Sequence, residues 1–417
     1  MHPVSINDLK LGETYFVRRR GSEVLHHALL MQDRVDMNTG RKQFYVHYDG
    51  CDRRLDEWID SERIYMDCAS QVESSTKPTR IRKRRLEEDY DLLSAQGPED
   101  FNESKILEKE HEQVTKVKHI EWIRYGCYKI YTWYFSPYPD DFGKASNLFV
   151  CDYCMKYMKY ERSYRTHLHE CKMRKPPGIE IYKHKDLAIY EVHGDENKIY
   201  CQCLCLLAKL FLDHKTLYFD VEPFVFYVLC QVDTDGSHMV GFFSKENGNL
   251  DGNNLACICI LPPFQRCGYG KLLIQLSYEL TKREGKFGSP EKPLSDLGRI
   301  SYISYWSWVL IEALRKSNMV IISELSKQSG IDPKDIIDAI CDLKLMQYWN
   351  GEDVLYITPK ILEECRKLRI IKEPRLILRA RSLRFGYFKI IVLLTIDAIF
   401  FRITPIIFDL VVVFTDC

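Results

Sequence analysis

The segment at 265–271 reads Gln-Arg-Cys-Gly-Tyr-Gly-Lys and is the part of the sequence whose residue types point most directly to chemistry. The apolar run at 255–261 is typical of a buried strand, and residues 272–280 are typical of a helix. Glycines between a strand and a helix let the backbone approach a phosphate, and the unbonded amides at the helix start point towards it. Taken alone, the loop predicts a binding site for a phosphate-bearing group.

Glu291 is a second candidate, in the turn Gly-Ser-Pro-Glu-Lys-Pro at 288–293. Prolines on both sides stiffen its backbone. A carboxylate held in this way could serve as the general base of a group transfer. The opposing interpretation is an ordinary solvent-exposed glutamate, which is the more common situation for a glutamate in a loop.

Four residues have the spacing of a metal site: Cys151, Cys154, His167 and Cys171. The first two form a tight knuckle, and the last two lie one helical turn apart, so the pattern predicts a closed, structural zinc site. His169 is a rival ligand, but its spacing places it on another face of the helix. A further cluster, Cys201, Cys203 and Cys205, is interpreted as small core thiols instead of a second metal site.

Composition limits the class of protein. The 417 residues are 46% hydrophobic, and Lys plus Arg equals Asp plus Glu at 59 each, so nucleic acid could be attracted only by local patches. One such patch is the basic run at 80–85, which is either a localisation or nucleic-acid signal or a solvated linker. The sixteen cysteines, with no apolar leader in residues 1–20, indicate a reducing intracellular compartment.

Composition also changes along the chain. Residues 5–70 contain short alternating stretches separated by turn residues, which predicts a small β-barrel. Residues 71–115 are mostly charged and indicate a flexible linker. Residues 116–375 are rich in aromatic and apolar side chains and form the predicted main domain. The tail at 376–417 is strongly apolar, but charges and Pro405 interrupt it too often for a standard transmembrane helix.

Two parts of the main domain have local signatures. Residues 224–229 and 238–243 are expected to be adjacent strands joined by an Asp-Thr-Asp-Gly turn. Further on, Asp332 and Pro333 are suited to the N-cap and the first position of a helix. A hairpin is expected around Asn-Gly at 350–351, so this part is expected to be winged-helix-like.

Several long strings together resemble the MYST family of histone acetyltransferases over about residues 117 to 370. The strings are Thr-Trp-Tyr-Phe-Ser-Pro-Tyr-Pro at 132–139, Pro-Pro-Gly-Ile-Glu-Ile-Tyr at 176–182, the segment 204–218, the loop 265–271 and the segment 288–298, together with the zinc pattern.

This resemblance implies an α+β fold with a GNAT-like acyl-CoA N-acyltransferase core at 180–310. A C2HC zinc finger at 149–173 would precede the core, and a winged-helix-like part at 311–375 would follow it. The small barrel ahead of them, with Tyr-Val-His-Tyr at 45–48 and Arg-Arg-Leu-Asp-Glu-Trp at 53–58, resembles the chromo-barrel (Tudor-knot) module.

The resemblance also implies acetyl-CoA as cofactor, structural zinc and roles for single residues. Glu291 matches the family's general base, and Lys215 matches the lysine that the family acetylates on itself. Cys257 matches the active-site cysteine, and we expect direct attack on the cofactor with Cys257 as pocket wall, the alternative being an acyl-Cys257 route. Contacts with the cofactor are implied for Ile258, Cys259, Ile260, Gln265, Arg266, Cys267, Gly268, Tyr269, Gly270, Lys271, Ser295 and Ser304. Cys267 departs from the residue usual in relatives.

A barrel joined to such a domain resembles the branch that acts on histones H4 and H2A in nucleosomes, as the catalytic subunit of a NuA-type complex. The resemblance thus implies a nuclear regulator of transcription and DNA repair, with histone tails, nucleosomes and complex subunits as partners and no membrane. The alternatives are an acetyltransferase acting mainly on non-histone proteins and a chromatin-binding scaffold. An intact Glu291, Cys257 and glycine loop argue against an inactive scaffold.

The ligand of the barrel stays open at this point. An aromatic cage could bind methyl-lysine, since aromatic faces attract alkylated ammonium groups. The same aromatic residues could instead fill the barrel core, and basic residues could bind nucleic acid. The aromatic candidates are Tyr15, Tyr45, Tyr48 and Trp58, and the basic ones are Arg18, Arg19, Arg20 and Arg41.

Overall fold

A computed structural model describes most of the chain in two compact units. The described residues are 2–3, 9–20, 24–35, 40–66, 117–215, 217–249, 251–316, 319–343, 346–349, 352–355, 373–384 and 411–413. The expected linker at 71–115 lies outside them, as does the expected apolar tail apart from 376–384 and 411–413. One unit comprises Met1–His119 with Trp133–Phe135, and the other comprises Ile120–Thr132 with Ser136–Cys417.

The first unit is built on an antiparallel sheet of six strands in the order β1-β6-β2-β3-β4-β5. The strands are β1 (His2–Pro3), β2 (Thr14–Arg18), β3 (Leu25–Val35), β4 (Lys42–Tyr48), β5 (Glu57–Asp60) and β6 (Ile64–Met66). A register shift in β3 between Leu30 and Gln32 bends the sheet. Alternate side chains such as Val17, Leu30 and Val46 are fully buried inside it. This agrees with the small barrel predicted from the sequence.

The aromatic residues of this unit favour the core interpretation. Tyr15, Tyr45 and Tyr48 are all less than 5% exposed. Tyr15 and Tyr48 pack in the core of this unit, and Tyr45 packs against Trp58 with ring centroids 5.2 Å apart. Trp58 is half-buried, and the Arg34 guanidinium already lies over its ring at 4.2 Å from the centroid. An open aromatic cage is therefore not formed by these four residues in this structure.

The second unit begins with a four-stranded sheet in the order β10-β9-β7-β8. Its strands are β7 (Trp122–Tyr125), β8 (Tyr128–Tyr131), β9 (Asn147–Val150) and β10 (Tyr157–Met158). Helix α1 (Asp140–Gly143) precedes β9, and helix α2 (Glu161–Glu170) follows β10. The two cysteines after β9 and the end of α2 are thereby brought towards each other.

A five-stranded antiparallel sheet forms the centre of this unit, in the order β11-β12-β13-β14-β16. The strands are β11 (Ile179–His184), β12 (Leu187–His193), β13 (Phe224–Val232), β14 (Ser237–Glu246) and β16 (Cys257–Ile260). Helix α3 (Lys198–Lys209) connects β12 and β13 and buries Leu204, Cys205 and Leu207. The expected adjacent strands at 224–229 and 238–243 are confirmed as β13 and β14.

The apolar run at 255–261 is divided between two strands, so the single buried strand expected there is wrong. Residues up to Leu255 belong to β15 (Asn253–Leu255), which pairs in parallel with β17 (Ser289–Pro290). Residues from Cys257 pair with β14 instead. The chain changes partner at Ala256, and β16 becomes the outermost described strand of the central sheet.

Helices complete the unit. Helix α4 (Tyr269–Arg283) confirms the helix expected after the glycine loop, and α5 (Asp296–Lys316) runs across residue 310, where the core was expected to end. Strand β18 (Met319–Ile321) is followed by α6 (Ile322–Ser329) and α7 (Pro333–Asp342). A hairpin of β19 (Met346–Trp349) and β20 (Glu352–Leu355) comes next. Strand β21 (Val411–Val413) pairs with β18.

The C-terminal part has the expected local signals. Asp332 caps α7, its side chain accepting a hydrogen bond from the Lys334 amide, and Pro333 is the first helical residue. Tyr278 of α4 and Trp306 of α5 share a buried hydrogen bond of 2.8 Å inside the core of this part. Among the residues described, no helix is long and apolar enough to cross a membrane.

Candidate active site and metal site

Strand β16 offers free backbone groups along one edge. The Leu261 amide donates to the Val240 carbonyl of β14. By the two-residue period of a strand, the backbone groups of Cys259 also face β14, while those of Ile258 and Ile260 face outward. The Ile260 carbonyl already accepts a hydrogen bond from the Gln265 side-chain amide at 2.9 Å. The remaining outward amides and carbonyls can accept an extended ligand, much as an added strand would be accepted.

The glycine loop leads directly from this edge to the start of α4. Gly268 is the N-cap residue of α4, with φ of +99°, a backbone conformation that glycine adopts without steric cost. Within the part of the chain that the structure describes, no side chain caps this helix end, so the first amides of α4 can bind an anion. This helix start is compatible with the predicted phosphate cradle, which stays a prediction.

Side chains from distant parts of the chain hold the loop. Arg375 donates to the Arg266 carbonyl at 2.7 Å, and Lys271 donates to the Ser304 hydroxyl of α5 at 2.9 Å. Gln275 of α4 in turn fixes the segment that carries Arg375, since its amide donates to the Leu376 carbonyl at 2.8 Å. Arg266 and Arg375 thus place two cations at the loop, which suits a pyrophosphate.

The other residues implied at the cofactor have varied positions. Tyr269 is buried and its hydroxyl accepts a hydrogen bond from Gln231 of β13 at 2.8 Å, so it anchors the helix start to the sheet. Cys267 is exposed in the loop, and Cys259 is buried, which raises the pKa of its thiol to about 12. Ser295 is exposed and accepts a hydrogen bond from the Gly298 amide at 3.1 Å, at the start of α5.

Lys215 is only 8% exposed, so it is not the ordinary exposed lysine that was one interpretation of the sequence. Its ammonium interacts with the thiols of Cys205 and Cys257. Burial alone would lower the pKa of Lys215, but the two sulfurs outweigh this and raise it. A charged amine is therefore held against the sulfur at the start of β16.

Glu291 follows directly on β17, and its amide donates to the Leu255 carbonyl at 2.8 Å. Its side chain reaches solvent, but loss of solvation raises the pKa of the carboxyl. The carboxylate of Glu246, at the end of β14, raises that pKa further, and the charge of Lys215 opposes the shift. The charge of Lys215 therefore acts on Glu291 and on Cys257, and the Glu291 amide is bonded to a residue two positions before Cys257.

The predicted metal ligands come together. The ligand atoms of Cys151, Cys154, His167 and Cys171 all lie within 4.8 Å of one another, and Cys154 Sγ lies 3.2 Å from His167 Nε2. Three sulfurs and one imidazole at these separations suit tetrahedral zinc with no position left for water. The rival His169 is exposed on another face of α2.

The sequence pointed to the glycine loop, Glu291 and the metal ligands as candidates, but it did not point to several of their neighbours. Cys205 was interpreted only as a core thiol, although it interacts with Lys215. Arg375 and Glu246 carried no motif, since they reach the site only through the tertiary fold. No local pattern could have identified them.

Comparison with known proteins adds to this geometry. Residues 175–383 match the MOZ/SAS family, residues 117–171 match the MYST family zinc finger domain, and residues 9–66 match a domain described as the RNA binding activity-knot of a chromodomain.

Three curated relatives are similar over most of the chain. Histone acetyltransferase MOF of Drosophila melanogaster is 42% identical over 87% of this chain, which spans only 51% of that relative's length. Histone acetyltransferase of the MYST family 1 of Arabidopsis thaliana is 45% identical, covering 81% of this chain and 77% of the relative. Histone acetyltransferase ESA1 of Saccharomyces cerevisiae is 35% identical, covering 92% and 96%.

Proposed function

Since this chain belongs to the MYST family of histone acetyltransferases, we propose that it acetylates lysine side chains of histone tails in chromatin, H4 first and also H2A. The observation that carries the proposal is the bond from the Glu291 amide to the Leu255 carbonyl at 2.8 Å, two residues before Cys257, which begins the strand that leads to the phosphate loop. The charge of Lys215 acts on both Glu291 and Cys257. The family's cofactor is acetyl-CoA, and the zinc held by Cys151, Cys154, His167 and Cys171 is structural.

Acetyl-CoA supplies an acetyl group activated as a thioester. The outward backbone groups of Ile258 and Ile260 would bind its extended arm, and residues 265–271 would hold its pyrophosphate on the free amides of α4. Arg266 contributes charge to this cradle. Tyr269 and Lys271 support it through their bonds to Gln231 and Ser304. Ser295 is proposed at the cofactor only because it resembles a family position that contacts the cofactor.

Glu291 is proposed as the general base. A free lysine ammonium has a pKa of about 10.4 and becomes a nucleophile only after losing a proton. A base works best when its own pKa is raised towards the working pH, and loss of solvation together with Glu246 has this effect on Glu291. Glu291 would take one proton from the ammonium, and the neutral nitrogen would then attack the acetyl carbonyl. The carbon–sulfur bond of the thioester would break, and CoA would leave as a thiol carrying the second proton from the nitrogen. Glu291 would release its proton to solvent.

Cys257 is proposed as a wall of the acetyl pocket rather than an obligatory acyl carrier. Its neighbour Lys215 is proposed as a site of self-acetylation, which would turn a buried cation into a neutral amide. That change removes the charge that lowers the pKa of Glu291. Acetylation of Lys215 is therefore expected to make Glu291 a stronger base.

The cellular location and the partners of the chain are proposed from its family membership. Histone substrates and contact with chromatin are properties of this family, and we propose a nuclear location and assembly with other subunits of a chromatin-modifying complex. The proposed organisation is a chromo-barrel at 5–70, a linker at 71–115, a catalytic domain at 116–375 and an atypical tail. Contact of the barrel with nucleic acid is proposed over methyl-lysine binding, because its tyrosines are buried.

The test is an incubation of the purified protein with acetyl-CoA and recombinant nucleosomes, followed by mass-spectrometric mapping of acetylated lysines. Wild type is expected to modify H4 tail lysines, and Glu291→Gln is expected to leave them unmodified. Acetylation confined to non-histone proteins of a nuclear extract would overturn the substrate assignment.

A further inference from the structure

Asp335 is a fully buried carboxylate on α7 with a partner in the Glu291 turn. It has 0% exposure, and its Oδ1 accepts a hydrogen bond from Lys292 Nζ at 3.0 Å. Lys292 directly follows Glu291 in the chain. An ionised carboxylate away from water costs several kcal/mol unless it is paired. The carboxylate of Asp335 therefore depends on Lys292 and holds that side chain in place.

Backbone bonds fasten the same turn on both sides. The Gly288 amide donates to the Gly330 carbonyl at 2.9 Å, and the Asp332 amide donates to the Gly288 carbonyl at 3.1 Å. On the other side, the Glu291 amide donates to Leu255. The turn is thus held between β15 and the start of α7, and the ion pair with Asp335 fixes it just beyond Glu291.

The direction of the Lys292 side chain matters for the charge of Glu291. An adjacent cation that turned towards Glu291 would favour its ionised form and weaken it as a base. The Lys292 ammonium instead lies 3.0 Å from the Asp335 carboxylate and 3.8 Å from that of Asp338, both on α7. The buried Asp335 carboxylate therefore binds the Lys292 cation and holds it away from Glu291.

We propose that Asp335 is a positioning residue, which binds Lys292 and thereby holds the Glu291 turn in place and the Lys292 cation away from the Glu291 carboxylate. This inference rests on the proposed role of Glu291 as general base. The helical C-terminal part, in which no catalytic motif was identified, would then help to position the general base.

Asp335→Asn is the direct variant, because it keeps the shape and removes the charge. Misplacing a reacting group by about 1 Å can cost about a hundredfold in rate, so we expect kcat on an H4 peptide to fall by about ten- to a hundredfold. KM for acetyl-CoA should stay unchanged. Asp338→Asn is the matched control, since Asp338 touches the same lysine from a side chain that is 60% exposed, and it should behave as wild type.

Variants of Lys292 distinguish a loss of the ion pair from a loss of folding. Lys292→Arg keeps the ion pair and should retain most of the activity, whereas Lys292→Met should lose as much as Asp335→Asn. The double variant K292M/D335N leaves no buried charge unpaired, so it should fold, and its kcat should be no lower than that of either single variant. Losses that multiply would contradict a shared role.

A readout that needs no activity is the NMR titration of the Glu291 side-chain carboxyl, identified by its absence in Glu291→Gln. The groups that act on the Asp335 carboxyl are Lys292, Ser289 and Asp332. Its charge in turn acts on the hydroxyls of Tyr278 in α4 and Tyr302 in α5. Asp335→Asn frees the Lys292 cation, so the pKa of Glu291 should fall relative to wild type and to Asp338→Asn.

The two proposals fail in different ways. If wild type does not acetylate histones, the proposed function is wrong. If wild type and Glu291→Gln acetylate histones equally, the proposed role of Glu291 as general base is wrong. In both cases the NMR titration still decides whether Asp335 controls the environment of Glu291. If Glu291→Gln is inactive while Asp335→Asn matches Asp338→Asn in both kcat and the Glu291 titration, the positioning role is wrong.

Discussion

Replacing Gly268 with alanine tests the phosphate loop at the position where its backbone is most constrained. The residue has φ of +99°, beyond the left-handed region that other residues occasionally adopt. An added Cβ would lie 3.1 Å from Arg375 Cβ and 3.5 Å from Leu376 Cγ, so the loop or the Arg375 segment must shift slightly. Holding a non-glycine residue in such a conformation costs about 1–3 kcal/mol.

That cost can appear in two measurable places. If the loop relaxes in the free protein and must be rebuilt around the ligand, the whole cost weakens CoA binding, and a Kd rises by about 5- to 150-fold for 1–3 kcal/mol. If the strain stays in the free protein, thermal stability falls, by about 2–4 °C for each kcal/mol in a domain of 150–250 residues. Calorimetric titration of CoA and a thermal melt measure both.

Gly270→Ala is the matched control two residues along. Gly270 lies in α4, and an added Cβ would come no closer than 3.9 Å to the nearest atom, Ile260 Cγ1. Alanine in a helix is favoured over glycine by about 0.5–1 kcal/mol, so the melt should be unchanged or higher. If the Gly268→Ala and Gly270→Ala variants have the same Kd for CoA and the same melting temperature, the loop does not require glycine at position 268.

Three further predictions concern the base, its charge environment and the zinc. Glu291→Gln should lose most histone acetylation in a CoA-release assay while Cys257→Ala keeps a substantial part; a folded but inactive Cys257→Ala would instead favour the acyl-Cys257 route. Because Glu291 must be deprotonated to act, kcat/KM should fall as pH drops through its raised pKa, and Glu246→Gln should move that acid limb to lower pH by removing a repelling charge; a limb that stays in place would exclude Glu246 as a cause. Chelation of zinc or Cys171→Ser should lower the melting temperature, since structural zinc contributes directly to folding, whereas His169→Ala should not; equal losses would mean that the wrong histidine has been assigned.

Features set by short sequence spacing could be predicted well. The zinc ligands lie in two local pairs, so a knuckle and one helical turn were enough to find all four. The cap at Asp332 and the hairpin around residues 350–351 likewise depend on residues close together in the chain. The glycine loop was recognisable because its conformation requires glycine at Gly268.

Features set by long-range packing could not be predicted. Arg375 reaches the Arg266 carbonyl across 109 residues of sequence, and nothing near Arg375 marks it. The run at 255–261 has the composition of one strand, but its two halves have different partners, so composition alone could not reveal the break at Ala256. The burial of Lys215 near the thiols of Cys205 and Cys257 likewise depends on residues that are far apart in the sequence.

The most direct measurement of the central claim is the initial rate of CoA release when the purified chain meets acetyl-CoA and an H4 tail peptide, for wild type and Glu291→Gln side by side. We predict a saturable rate for wild type that disappears when the peptide lysines are replaced by arginine, and a loss of most of that rate in Glu291→Gln with CoA binding intact. Equal rates in the two proteins, or release that does not depend on the peptide lysines, would contradict the assignment of this site as a Glu291-dependent lysine acetyltransferase.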